Sequence, residues 1–177
     1  GWQSGGIAGA LAAITLVVGL ETAPQLVALI AVMAMVWVAR GEDEGKRLAG
    51  FALGLGTTTA LFLTFLRPTY WPSQLCDAFT PASSTGTLAV AAAFGLLAAL
   101  SNRLTSWQAR MAAGALLGAL ALGGTLLAFP GCVSGPYGEV DPFLRDNFLP
   151  HIVEANRVFS QTRLARIVGT GGHALVA

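Results

Sequence analysis

The chain of 177 residues is 54% hydrophobic and 11% charged, with a formal net charge of +1 and a mean hydropathy of +0.66. A soluble domain carries about a quarter charged residues, so a water-soluble globular class is excluded. There is no global basic field and no basic run interleaved with aromatics, and nucleic-acid binding is set aside.

The first residue is Gly1, with no Met, no basic n-region and no small-residue cleavage site, so the chain does not open like a secreted precursor. It reads as processed, or as an internal piece of a longer protein. Five apolar stretches approach the roughly 20 residues that a helix needs to span hydrocarbon. They run over about Ser4–Leu20, Thr22–Ala39, Leu48–Leu66, Thr85–Leu100 and Met111–Phe129. The expected fold is all-α and integral to the membrane. It has a bundle of about five transmembrane helices over residues 1–129 and an outer-face amphipathic segment over 130–177.

The first two stretches are interrupted by "ETAPQ". Pro24 lacks an N–H and suits a helix start, and Thr22 is a candidate N-cap, so the pair reads as a tight helical hairpin. Glu21 is the only charged side chain before Arg40. The next connections alternate in charge. "RGEDEGKR" and "NRLTSWQAR" hold Arg40, Lys46, Arg47, Arg103 and Arg110, whereas "ETAPQ" has no basic residue and the 67–84 loop has Arg67 alone. Basic residues in short loops mark the cytoplasmic side. That rule places the N-terminus inside, and Glu21, the 67–84 loop and everything after Phe129 outside. Trp2, Trp37 and Trp107 near inner ends, and Tyr70 and Trp71 at an outer end, read as interfacial belts.

Cys76 and Cys132 are the only cysteines. The charge rule puts both outside, where an oxidising compartment permits a disulfide; the alternative is two thiols that merely share a side. Neither cysteine has His151 or His173 at a ligand-like spacing, so no metal site is read from them. None of the five spans holds a charged residue or histidine in its middle, which weighs against a transporter. Gly5–Gly9, Gly50–Gly54 and Gly114–Gly118 are spaced four apart, as close helix packing requires. "GLGTTT" resembles a phosphate loop only superficially. It lies inside an apolar span with no strand before it and no lysine after it, and Thr57 to Thr59 can bond within the helix bundle.

Beyond Phe129 a Pro/Gly-rich loop leads into "VDPFLRD", a helix start with Asp141 as N-cap and Pro142 in the first turn. Phe143, Leu144, Phe148, Leu149, Ile152, Val153 and Phe159 follow at near-helical spacing, with a break at Pro150. This is the pattern of an amphipathic segment at the membrane–water boundary, or equally of a cap packed over the loop that carries Cys76. Its polar groups are Glu139, Asp141, Asp146, His151, Glu154, Arg157, Arg163 and Arg166. They serve either as caps and ion pairs on a solvated face, or as carboxylates for a divalent cation and arginines for a diphosphate. Arg157 and Arg163 are the candidates for binding that diphosphate.

"GIAGALAAITLVVGLETAPQLVALIAVMAMVWV", "CDAFTP" and "FPGCVSGPYGEVDPFLRDNFLPHIVEAN" are consecutive landmarks covering about Gly6 to Asn156. In order and spacing they resemble a family of large bacterial inner-membrane proteins of the GT-C glycosyltransferase type, including oligosaccharyltransferase-like members. The resemblance implies sugar transfer from a polyprenyl-phosphate donor on the outer face, often with a divalent metal, and a carboxylate as base or metal ligand near that boundary. Glu21, in the "GLET" match, is the position that carries over as catalytic candidate; the alternative is a carboxylate held only by the dipole and free N–H groups at the start of the second helix. Family members are much longer and bear acidic motifs ahead of the matched segment, so this chain corresponds to an internal portion without the usual catalytic loop. The partners implied are the bilayer, a lipid-linked sugar, and the remainder of a longer chain or other membrane subunits. A non-catalytic accessory subunit of a larger complex is the alternative.

Overall fold

Runs of Leu, Ala and Gly with few residues that compete for backbone hydrogen bonds make long helices here. The structure is a computed structural model that describes residues 1–19, 22–65, 76, 78–134, 141–148 and 151. Its helices are α1 (Trp2–Val18), α2 (Ala23–Arg40), α3 (Glu42–Phe65), α4 (Pro81–Leu100), α5 (Trp107–Ala128) and a short α6 (Pro142–Asn147), with a 3-10 turn over Pro130–Ser134 after α5. No strand occurs among the described residues. The helices α2, α3, α4 and α5 are long and apolar enough to cross a membrane, and α1 is a shorter apolar helix. At 17 residues α1 is about 25 Å long, a little less than the hydrocarbon thickness. The protein is therefore of the all-α polytopic membrane class.

Local chemistry sets the helix ends. Ser106 Oγ accepts the Ala109 N–H at 3.2 Å and starts α5, while Ser83 Oγ accepts the Thr80 N–H at 3.0 Å at the head of α4. Both helices begin four residues before the apolar stretch does, because these polar caps lie outside it. The helix α3 begins six residues early for a different reason. Glu42, Asp43 and Glu44 fill its first turn, where the helix dipole favours carboxylates, so "EDEGK" is helix rather than loop. Pro24 lies in the first turn of α2 as expected. Thr22 precedes that helix, but its hydroxyl donates back to the Gly19 carbonyl at 3.3 Å instead of capping it.

The expected α1–α2 hairpin is not the main packing of α1, which lies against α3. A Cβ on Gly5 would run into the Arg47 carbonyl and one on Gly9 into that of Phe51. Reciprocally, a Cβ on Gly50 would meet the Trp2 carbonyl and one on Gly54 that of Gly6. Residue numbers rise together along the contact, so α1 and α3 run parallel. Two glycines on each helix bring backbone against backbone, the arrangement that membrane helices use in place of a hydrophobic driving force. The third predicted pair behaves differently. A Cβ on Gly114 or Gly118 would meet nothing within 4 Å, and α5 has no buried residue.

The core lies around α3, where Leu48, Phe51 and Leu55 pack with Trp37 of α2 and Phe94 and Leu97 of α4. The Phe51 and Phe94 ring centroids are 5.3 Å apart at an interplanar angle of 47°. Outward-facing positions carry Ile7, Leu11, Met35, Leu61, Leu116, Leu120 and Leu127 in exposed settings, as a lipid-facing bundle requires. Trp2 and Trp107 are exposed near helix starts and fit a belt, but Trp37 does not: it is fully buried. Its indole Nε1 donates to Ser101 Oγ at 2.8 Å, and a satisfied polar tip lets the ring leave the interface for the core. Tyr70 and Trp71 lie outside the described residues.

Candidate functional site

The helix directions divide the polar groups between two ends. One end holds the α2–α3 junction and the α4–α5 turn. The other holds the α1–α2 and α3–α4 connections and the segment after α5.

At the second end Cys76 and Cys132 stand at disulfide distance, with Cα atoms 5.5 Å apart and a sequence separation of 56. Cys132 belongs to the 3-10 turn, and its N–H donates to the Phe129 carbonyl at 3.1 Å. Cys76 precedes buried Phe79 and Thr80, which lead into α4. The pair thus links the α3–α4 connection to the chain leaving α5. Asp141 caps α6 as its sequence suggests, accepting the Phe143 N–H at 2.8 Å. His151 is exposed, with Nδ1 3.1 Å from the Asn147 carbonyl, a local backbone contact. Glu21, the catalytic candidate, lies outside the described residues, as do Glu139, Glu154, Arg157, Arg163 and Arg166. Among the described residues no group of three or more His, Cys, Asp or Glu is gathered as a metal site would need.

The first end holds an arrangement within "RGEDEGKR", which the sequence predicts as a loop. Glu44 is buried, and its two carboxylate oxygens face Arg40 Nη1 at 3.3 Å and Arg47 Nη1 at 3.5 Å. The Glu44 side chain is 11% exposed against 68% for Arg40 and 49% for Arg47, so each arginine shares the carboxylate while facing outward. The i, i+3 spacing of Glu44 and Arg47 is the available signal, and it counts only once α3 is extended ahead of Leu48 to Glu42. Gly41 joins α2 to α3 with φ of 66°, a conformation that side chains rarely adopt. The space a Cβ would take there is occupied by the Arg110 guanidinium from α5. Arg110 Nε is buried and has no hydrogen-bond partner. Beside it a groove of about 610 Å³ runs between α2 and α5, lined by residues that include Met35, Val38, Trp107, Met111 and Gly114.

The chain matches no protein-family model, no curated protein and no solved structure.

Proposed function

We propose that this chain is the membrane-bundle portion of a GT-C-like glycosyltransferase in a bacterial inner membrane, with a polyprenyl-phosphate-linked sugar as donor on the outer face. One observation carries the reading. Cys76 of "CDAFTP" and Cys132 of "FPGCVSGPYGEVDP", far apart in sequence, stand at disulfide distance. They do so at the bundle end where α1 finishes at Val18 and α2 begins at Ala23, the helix ends that flank "GLET". The helix ends that flank "GLET" therefore belong to the same end of the bundle as Cys76 and Cys132. The oxidising side suits a cysteine pair, and the opposite end holds Arg40, Lys46, Arg47, Arg103 and Arg110, the bias of a cytoplasmic face.

In this reading Glu21 is the base or metal ligand at the donor mouth, and Arg157 and Arg163 meet the donor phosphates. The test is Glu21→Gln in the full protein, assayed by transfer of labelled sugar from a polyprenyl-phosphate donor in membranes. Transfer is expected to be lost with expression intact; unchanged transfer removes Glu21 from the site.

A second reading, an accessory subunit of a larger membrane complex, is favoured by the open Gly114 and Gly118 face of α5. Stable co-purification with a partner through detergent is its expected outcome, and a monodisperse lone monomer counts against it.

A further inference from the structure

The groove between α2 and α5 lies at the bundle end opposite the cysteine pair, and what it binds is independent of the transferase reading. Its walls are apolar along Met35, Val38, Met111 and Gly114, and Trp107 stands at its rim. Two arginines neighbour the lining residues along their helices. Arg40 directly follows the lining residue Ala39. Arg110 shares the helical face of Trp107, Met111 and Gly114 and lies against Gly41, the residue after Arg40. The two are not equivalent. Arg40 is drawn to Glu44, whereas Arg110 Nε is buried with no partner in an environment where an unpaired donor is costly.

We propose that the α2–α5 groove binds one anionic glycerophospholipid, its phosphate held by Arg110 with Arg40 beside it and an acyl chain along the groove floor. An anionic headgroup supplies an acceptor for the Arg110 guanidinium, whose Nε has none, and a charge-assisted contact to phosphate is strong from either arginine or lysine. The apolar floor suits a hydrocarbon chain. The volume lies in the range of small-molecule sites, roughly 300–1,000 Å³. The glycine at 114, with open space above its Cα, leaves α5 flat where the chain would lie. Basic pockets between spanning helices are a recognised setting for anionic headgroups.

The test is native mass spectrometry of the full protein released from mixed phosphatidylglycerol and phosphatidylcholine vesicles. One phosphatidylglycerol retained per chain in preference to phosphatidylcholine is expected. Arg110→Gln should weaken that retention about fivefold, the effect of one basic residue on an anionic lipid. Arg110→Lys, which keeps the charge, should preserve the preference, as should Arg103→Gln on the neighbouring turn. Gly114→Leu, which fills the floor, should lower retention with the basic end intact. Equal retention of both lipids overturns the proposal, and so does wild-type retention in Arg110→Gln. Equal loss in the Lys and Gln variants marks Arg110 as structural and overturns it too. A dimer that Gly114→Leu dissociates would show a second copy covering the groove, also against the proposal.

Discussion

The Trp37 indole donates to Ser101 Oγ at 2.8 Å, and Ser101 Oγ in turn donates to the Leu97 carbonyl at 2.9 Å. Both side chains are buried, so α2 is pinned to the end of α4 through a two-bond relay. Ser101→Ala leaves a buried N–H without an acceptor and is expected to cost about 1–3 kcal/mol. Trp37→Phe with Ser101→Ala should cost less than the sum of the two single changes, because the shared bond is lost once. Thermal unfolding in one detergent, read as a double-mutant cycle, checks both statements.

The glycines of α1 and α5 make opposite predictions for the same substitution. Gly9→Ala places a methyl group against the Phe51 carbonyl and the Leu55 N–H, backbone atoms that no rotamer change can move. A loss of about 1–3 kcal/mol is expected, the usual cost of overpacking. Gly118→Ala meets open space and should be neutral, or stabilising by about 0.5–1 kcal/mol through helix propensity. Equal melting temperatures for the two variants would contradict the α1–α3 contact.

Gly41 combines a backbone and a packing requirement. Its positive φ disfavours any side chain by about 1–3 kcal/mol, and the Arg110 guanidinium fills the Cβ position. Gly41→Ala should therefore destabilise, and Arg110→Ala in the same chain should recover only the steric part. A full rescue would mean that the backbone conformation costs nothing; no rescue would mean that Arg110 is not packed there.

Much of this architecture is written in the sequence in one-dimensional form. Apolar runs of near-spanning length give the helices. Pro24 and Asp141–Pro142 mark starts, and the loop charges sort the ends. The partner of a small-residue pair is not written that way. Gly5–Gly9, Gly50–Gly54 and Gly114–Gly118 have the same spacing, and only the three-dimensional path decides that two pairs meet and the third faces outward. In one dimension a run of charge marks a loop, which hides Glu44. A helix can carry its charged first turn beyond the apolar core, and the Glu44 carboxylate is then buried between Arg40 at the end of α2 and Arg47 of α3. Trp37 was read by its position near a span end, whereas its hydrogen-bond partner lies 64 residues away.

The cysteine pair closes a long loop. In the chain-entropy model a bridge over 56 residues contributes about 4 kcal/mol. Alkylation before and after reduction should expose two new thiols, and Cys76→Ser should lower the unfolding temperature as reduction does. Two cysteines labelled freely without reductant would contradict the bridge.

The account depends most on the bundle crossing the membrane with the Arg103 turn and the Asp141 cap on opposite sides. Arg103→Cys and Asp141→Cys, each made in a chain with Cys76→Ser and Cys132→Ser, can be probed with a membrane-impermeant maleimide in sealed vesicles of known orientation. The account predicts labelling of position 141 from the periplasmic side only and of position 103 from the cytoplasmic side only. Labelling of both from one side would contradict it, and with it the outer-face donor site.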